Sequence, residues 1–462
     1  MRGVWRTDRV RAAEQEVFKT LPEPKLMQRA AFGVAVCATE FKPRKVLLLV
    51  GAGNNGGDAL WAGAFLRRRG IAVDAILLKP ERAHQEGLKA FTAKGGRIVD
   101  APAGHDLVID GIVGISGKGA LRPEAAAIVE RITAPVIAID QPSGVDPDTG
   151  AEEGPCVTAT VTVTFGGRKP VHVLSTRCGE VRVLDIGLTQ ALDDPDMIVL
   201  DHEDVAEAWP IPGPADDKYT QGVTGIAAGS ATYPGAAVLS ASGAVLATSG
   251  MVRYAGTAAD NVQQRWPEIV STGSVNDAGR VQAWVVGPGI GTGTAGRELL
   301  SHILGVGVPV CVDADGITLL AENPNLWDRR DPDTPVVLTP HDREFARLGQ
   351  LGKDRVGSAK ALAAKLNAVV LLKGYNTIVA DPNGRVLVNQ APSAWLATAG
   401  SGDVLSGILG AVLAAGVDPW LAAGCAAYIH GLAGTLAASG APAPASAVAA
   451  AIPDAIREVR LW

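Results

Sequence analysis

The densest group of residues able to do chemistry is GAGNNGGD, Gly51 to Asp58, directly after the apolar run VLLLV. A buried strand that runs into a glycine loop and then a helix offers backbone N–H groups to an anion or polar ligand. The adjacent Asn54 and Asn55 add side-chain amides that a plain pyrophosphate cradle of the GxGxxG kind does not need. Two further apolar runs end in carboxylates: DLVID closes on Asp110 ahead of GIVGISGKGA, and PVIAID closes on Asp140 ahead of QPSGVDPDTG. Ligands of open α/β sheets bind outside the carboxyl ends of the strands, so Asn55, Asp110, Asp140 and Ser143 share a crevice if these strands are neighbours. Each Asp taken alone also fits an ordinary turn former.

The second half of the chain offers a different chemistry. In ATAGSGDVLSGILG, Gly400, Ser401 and Gly402 precede Asp403 and a run of small apolar residues. Backbone N–H groups and a helix dipole beside a carboxylate suit phosphoryl transfer to a hydroxyl, with Asp403 taking the proton and the amides neutralising the moving phosphoryl group. Alone, the same turn also reads as a helix N-cap. LLKGYNT places Lys373, Gly374, Tyr375, Asn376 and Thr377 between two strands, where they would meet a nucleotide's phosphate, and VVGPGIG gives a second glycine loop at a strand end. In VLTPHDREFARL, Thr339 is the expected N-cap, with Pro340 at the first helical position and Asp342 in the capping-box position; His341 then projects at the helix start.

The elements that must hold these residues follow from hydrophobic patterning. VLLLV, IAVDAILL, DLVID, PVIAID and VTVTF alternate with helical patterns, which predicts a mostly parallel sheet with helices on both faces. An acidic, proline-bearing stretch, 190–216, reads as a linker, and a second alternating series starts near Gly222. The expected domains are therefore 1–189 and 217–462, within a chain of 462 residues. With 42 Lys+Arg against 48 Asp+Glu the net charge is -6, and no dense basic block exists to bind nucleic acid or an anionic membrane. Cys37, Cys156, Cys178, Cys311 and Cys425 lack CxxC spacing, so neither a zinc cage nor a disulfide framework is indicated, and a reducing cytoplasm fits best. The charged N-terminus is no signal peptide. The uncharged run between Asp418 and Asp454 is Ala-rich and broken by Gly and Pro, as expected of packed helices rather than a membrane span.

GAGNNGGD, DGIVGISGKG and IDQPSGVDPDTG, followed by TVTFGGRKP and GEVRVLDIGL, resemble the NAD(P)H-hydrate epimerase domain family, the YjeF N-terminal domain, with Ala59 standing where that family usually has Gly. The resemblance implies a Rossmann-like three-layer αβα fold. It also implies that Asn54, Asn55, Gly56, Gly57, Asp58, Gly114, Ile115, Ser116, Gly117, Lys118, Gly119, Ala120 and Asp140 hold the hydrated dinucleotide, and that Asn55, Asp110 and Ser143 help coordinate K+. Oxygen-only donors suit such a hard cation. AGSATYPGAA, VVGPGIG, VDADGITLL, LTPHDREFARL, LLKGYNT and TAGSGDVLSG resemble the ADP/ATP-dependent NAD(P)H-hydrate dehydratase family, of ribokinase-like α/β fold. That implies hydrate contacts from Ala236, Gly289, Gly291, His341 and Asp403, and nucleotide contacts from Lys373, Gly374, Tyr375, Asn376, Thr377 and Gly402, with ADP or ATP as co-substrate and Mg2+ beside it. Together the two halves are similar to bifunctional bacterial repair enzymes acting on NADHX and NADPHX, expected as homo-oligomers. The rival readings are a small-molecule kinase, since a GSGD anion hole serves any hydroxyl acceptor, and a non-catalytic dinucleotide-binding scaffold.

Overall fold

Val46, Leu48 and Val50 of the strand Lys45–Val50 enter one apolar layer while Leu47 and Leu49 enter the other, as the two-residue period of a strand buried on both faces requires. The computed structural model, which describes residues 1–117, 119–390 and 394–461, divides into two units, Gly3–Met197 and Ile198–Trp462 with Met1–Arg2. In the first unit seven strands lie in the order Arg97–Ile98, Ala72–Leu77, Lys45–Val50, Leu107–Gly111, Val136–Ile139, Val161–Phe165, Glu180–Leu184. Every neighbouring pair is parallel. Helices Glu23–Glu40 and Asn54–Arg68 cover one face, and Pro123–Val129 packs on the other, giving the expected three layers. From Lys45–Val50 the chain first builds outward through Ala72–Leu77, then returns to pair Leu107–Gly111 on the opposite side. This reversal opens a crevice at the carboxyl ends of those two strands. Gly53, at φ 95°, makes the turn from the first of them into Asn54–Arg68.

The second unit repeats the logic with other strands. Val270–Thr272, Met251–Ala255, Val223–Ala227, Ala283–Val286, Val310–Val312, Val336–Leu338 and Val369–Leu372 are parallel in that order, and Asn376–Ala380 and Val386–Gln390 continue the sheet antiparallel. The reversal falls at Val223–Ala227, flanked by Met251–Ala255 and Ala283–Val286. Helices Pro234–Ala247 and Ser401–Ala414 cross in near backbone contact: a Cβ on Gly407 would collide with the Ser240 carbonyl oxygen and sit 2.9 Å from Ala244 N. Small residues at this crossing therefore set where the Gly400 to Asp403 turn stands.

The stretch 190–216, expected as a linker, carries the end of a 3-10 turn, Thr189–Ala191, the strand Met197–Val199 and the helix His202–Ala208. Asp201 caps that helix in a reciprocal box with Asp204, and Val205 and Trp209 are buried in the core of the second unit. The helix Pro419–Ala438 is long and apolar enough to cross a membrane, yet 67% of its most apolar window is buried inside the protein. It packs with Ile452–Arg460 in that core, as the Ala-rich pattern implies.

Candidate active sites

In the first unit a cavity of about 790 Å³ opens at the strand-order reversal. Asn54, Asn55, Asp58, Gly114, Ile115, Ser116, Gly117, Gly119, Ala120 and Asp140 line it. Lys118 lies outside the described residues. Gly56 and Gly57 do not line it: a Cβ on Gly56 would strike the Gly51 carbonyl, and one on Gly57 would lie 2.9 Å from the His84 ring, so these glycines let the helix pack closely. Asp140 sits in the left-handed region, φ 67°, an uncommon conformation for a residue with a side chain. Its Oδ1 accepts from Lys169 Nζ at 2.7 Å and Thr164 Oγ1 at 2.9 Å, and its carbonyl accepts from His172 Nε2 at 2.7 Å. Burial opposes ionisation of Asp140, but the Lys169 ammonium outweighs it and holds the carboxyl below the usual carboxylate range. Burial also holds the His172 imidazole down at about 4, so it stays neutral, with Nδ1 accepting from the Lys169 N–H.

Asp58 has the opposite bias. Burial, then the charges of Asp140 and Glu14, push its carboxyl well above the usual range, and its Oδ1 is buried with no hydrogen-bond partner among the described residues. One cavity thus holds two carboxyl groups biased in opposite directions, Asp140 toward its ionised form and Asp58 toward its protonated one. Asp110 and Ser143 lie behind the lining. Asp110 accepts from Ser143 N at 2.9 Å, Ser143 Oγ at 2.7 Å and Ile112 N at 3.1 Å, and burial raises its carboxyl to about 6. Among the described residues no Lys, Arg or His pairs with this buried carboxylate. The Asn55 side chain, within 3.2 Å of where a Cβ on Gly114 would stand, has a buried amide nitrogen without a partner among the described residues. A buried carboxylate with no counter-charge among the described residues, bonded to the Ser143 hydroxyl, offers oxygen donors of the kind a monovalent hard cation takes, and the Asn55 side chain carries a further amide oxygen.

In the second unit the candidates gather at the carboxyl ends of Val223–Ala227, Ala283–Val286, Val310–Val312, Val336–Leu338 and Val369–Leu372. A Cβ on Gly289 would sit 3.0 Å from that of Ala236, and Gly291 N donates to Asp315 Oδ2 at 2.8 Å. Gly400, at φ 85°, turns the chain into Ser401–Ala414 and leaves Asp403 in its first turn. Burial, then the neighbouring Asp313, raise the Asp403 carboxyl to about 7 although Lys373 opposes them. A Cβ on Gly402 would lie 3.4 Å from Lys373 Nζ, so the lysine and the helix start share one spot. Lys373 is the member of its loop that meets Gly402. A Cβ on Gly374 would lie 3.2 Å from the Arg355 guanidinium, which donates to the Lys373 carbonyl at 3.3 Å; Thr377 donates back to the Gly374 carbonyl at 3.2 Å, Tyr375 is 47% exposed, and Asn376 begins the next strand.

The helix start near His341 differs from the sequence expectation. Thr339 is not the N-cap and Pro340 is not helical; His341 itself caps Asp342–Leu348. Its Nδ1 accepts from Arg343 N at 3.1 Å and Glu344 N at 3.2 Å, while Glu344 accepts from His341 N at 2.8 Å. An imidazole nitrogen without a proton accepts as an Asp or Ser oxygen would, which is why this histidine fills the cap. Nε2, on a half-exposed ring, lies 3.5 Å from Glu344 Oε1, and Glu344 Oε2 lies 3.8 Å from Lys373 Nζ.

Local pattern gives no sign of Lys169, Thr164 and His172 in the first site, or of Asp313, Glu344 and Ser406 in the second. GGRKP and VDAD are visible as strings, but neither string shows which distant groups its charged residues meet. Only the packing shows Lys169 to be 1% exposed.

A model described as YjeF-related protein N-terminus matches residues 23–171, and one described as NAD(P)H-hydrate dehydratase matches residues 224–455. The chain is 55% identical over 431 residues to the bifunctional NAD(P)H-hydrate repair enzyme Nnr of Mycobacterium tuberculosis, covering 90% of each. It is 52% identical over 453 residues to the enzyme of that name from Mycobacterium leprae, covering 95% of each. Among solved structures, the ADP/ATP-dependent NAD(P)H-hydrate dehydratase of Bacillus subtilis, co-crystallised with ATP/Mg2+, superposes with a TM-score of 0.51 at 27% identity, covering 56% of this chain and 97% of that one. A ribokinase-like superfamily protein from Enterococcus faecalis, at 22% identity and a TM-score of 0.52 over 58% of this chain and 98% of its own, shares the fold of the second unit. With both family models in order along one chain and identity running through both, the chain belongs to the family of bifunctional NAD(P)H-hydrate repair enzymes.

Proposed function

We propose that the chain repairs hydrated NADH and NADPH in two steps, one per unit: exchange of the R and S hydrates in the first, and ADP- or ATP-driven dehydration of the S hydrate in the second. The observation that carries this is the pair of differently biased carboxylates, Asp140 held ionised by Lys169 and Asp403 raised to about 7 beside a helix start. Exchange of configuration requires the carbon–oxygen bond at the hydrated ring carbon to break and re-form on the other face. The departing oxygen takes a proton and surrenders one on return, work suited to two carboxyl groups of opposite bias, Asp140 and Asp58, in one cavity. Among the remaining cavity-lining groups, Asn54, Asn55, Gly114, Ile115, Ser116, Gly117, Gly119 and Ala120 hold the dinucleotide. Asn55, Asp110 and Ser143 would hold K+, which would supply fixed positive charge when bound.

In the second unit the poor leaving group is hydroxide. Asp403 takes the hydroxyl proton as the hydroxyl oxygen on the hydrated ring carbon forms a bond to the terminal phosphorus of the nucleotide and the bridging P–O bond breaks. The C–O bond then breaks, phosphate leaves, and loss of a proton from the adjacent ring carbon restores the double bond. Lys373 and the amides after Gly400 neutralise the moving phosphoryl group, while Ala236, Gly289, Gly291 and His341 face the hydrate. The relative from Bacillus subtilis crystallised with ATP/Mg2+ supports a nucleotide co-substrate. The reading places the boundary between the activities within 190–216 and the protein, as a homo-oligomer, in the reducing cytoplasm, in keeping with five free cysteines. The test is to mix both hydrate epimers with the protein, with and without ADP or ATP, and follow recovery of reduced-nicotinamide absorbance. Recovery of both epimers only with nucleotide supports the reading. Phosphorylated product without recovered absorbance would make it a kinase, and binding without turnover a scaffold.

A further inference from the structure

Between the glycine loop and the lysine loop of the second site stands a turn with no role in the chemistry above, Asp313-Ala314-Asp315. Ala314 is held at φ 49°, ψ −117°, a conformation that side chains rarely adopt. Its consequence is that two carboxylates separated by one residue reach opposite halves of the site. Asp313, 1% exposed, accepts from Lys373 Nζ through Oδ1 at 2.7 Å and from Ser406 Oγ through Oδ2 at 2.8 Å. Ser406 lies one turn beyond Gly402 on the helix Ser401–Ala414, so Asp313 clamps the lysine to that helix start. Asp315 instead accepts from Gly291 N at 2.8 Å, fixing the glycine loop on the hydrate side. The turn is locked from below: a Cβ on Gly287 would collide with the Asp313 carbonyl oxygen.

We propose that Asp313 and Asp315 are positioning residues of the dehydratase site, Asp313 setting the nucleotide half through Lys373 and Ser406, and Asp315 setting the hydrate half through Gly291. The proposal rests on the reading of this site as the dehydratase. Asp403 faces Asp313, Asp315, Glu344 and Lys373, and the Asp313 charge is the largest of the electrostatic influences raising its carboxyl. Loss of that charge, which also frees Lys373, therefore moves the Asp403 ionisation to lower pH.

The experiment uses the full chain and ATP. Binding of ATP, measured by calorimetry without hydrate, weakens about tenfold in Asp313→Asn and stays unchanged in Asp315→Asn. In steady state Asp315→Asn raises the KM for S-hydrate and not that for ATP. Asp313→Asn also shifts the acid limb of the dehydration pH profile down by about 1 pH unit, which a purely structural role would not do. Wild-type epimerisation in each variant reports an intact first unit. Equal weakening of both ligands in both variants, or an unmoved acid limb in Asp313→Asn, overturns the proposal. If Asp313→Asn does not fold, Ser406→Ala decides, since an unchanged ATP affinity there overturns the clamp. A wild-type protein that binds ATP but does not dehydrate refutes the functional reading instead, and the binding comparison still stands.

Discussion

Lys169→Met removes the cation that keeps Asp140 ionised and leaves most of the side-chain volume in place. The ammonium is 2.7 Å from Asp140 Oδ1 and also reaches Thr164 Oγ1 at 2.7 Å and the Phe165 carbonyl at 3.1 Å, with the lysine side chain 2% exposed and that of Asp140 11%. Removing one partner of such a buried pair costs about 3–5 kcal/mol. At about 2–4 °C per kcal/mol for a unit of this size, the first unit should melt ~6–20 °C lower near neutral pH. The pH dependence carries the sharper test. In the wild type the folded-state pKa of Asp140 is depressed, so its contribution is present above the unfolded carboxylate pKa and is lost as pH falls through the folded value. In the variant burial, the largest influence on Asp140, is no longer outweighed by the lysine and lifts the folded pKa above the unfolded one, so ionising Asp140 costs stability as pH rises. The melting deficit should therefore be larger at about pH 8 than at about pH 5, and exchange of R and S hydrates should be lost at neutral pH. Calorimetric melts of the full chain at both pH values, with chromatographic separation of the epimers, measure both effects. Wild-type melting at both pH values together with retained exchange would refute the assigned role of the pair.

Dehydration of S-hydrate at saturating nucleotide should rise as pH increases through about 7, because Asp403 acts only when ionised and its carboxyl is held near that value; a flat profile from pH 5 to 8 contradicts its role as base. Gly407→Val should force apart the helices Pro234–Ala247 and Ser401–Ala414 and destabilise the second unit by about 1–3 kcal/mol, read as a lower melting transition and weaker nucleotide binding with epimerisation intact. Replacing K+ by a bulky organic cation should slow epimerisation and lower the melting temperature of the first unit but not of the second, and Asp110→Asn should abolish that dependence.

Features that a local string can carry were legible in the sequence. Glycines after VLLLV and carboxylates closing DLVID and PVIAID announce a crevice at strand ends, and because Lys45–Val50, Leu107–Gly111 and Val136–Ile139 are successive neighbours the topology puts Asn55 and Asp140 on its lining, with Asp110 and Ser143 behind it. What eluded the pattern depends on contacts distant in sequence. Lys169 comes 29 residues after the Asp140 it charges, and Asp313 is 60 residues from Lys373. His341 was legible as a projecting group but not as a cap, because cap preferences favour short oxygen-bearing side chains over imidazole. In 190–216 the Asp201 and Asp204 capping box and the Val205 and Trp209 spacing were present, but the prolines at 210, 212 and 214 made the whole stretch resemble unstructured chain.

The central claim is one reaction per unit, each dependent on its own carboxylate. Asp140→Asn and Asp403→Asn in the full chain, each supplied with both hydrate epimers and ATP and followed by chromatography over time, test it directly. Asp140→Asn should consume the S hydrate and stall on the R hydrate, while Asp403→Asn should interconvert the epimers yet lose dehydration by a factor on the order of 100 or more. Mixing the two variants should then restore repair of both. Loss of epimer exchange in Asp403→Asn, or of S-hydrate dehydration in Asp140→Asn, would contradict the assignment.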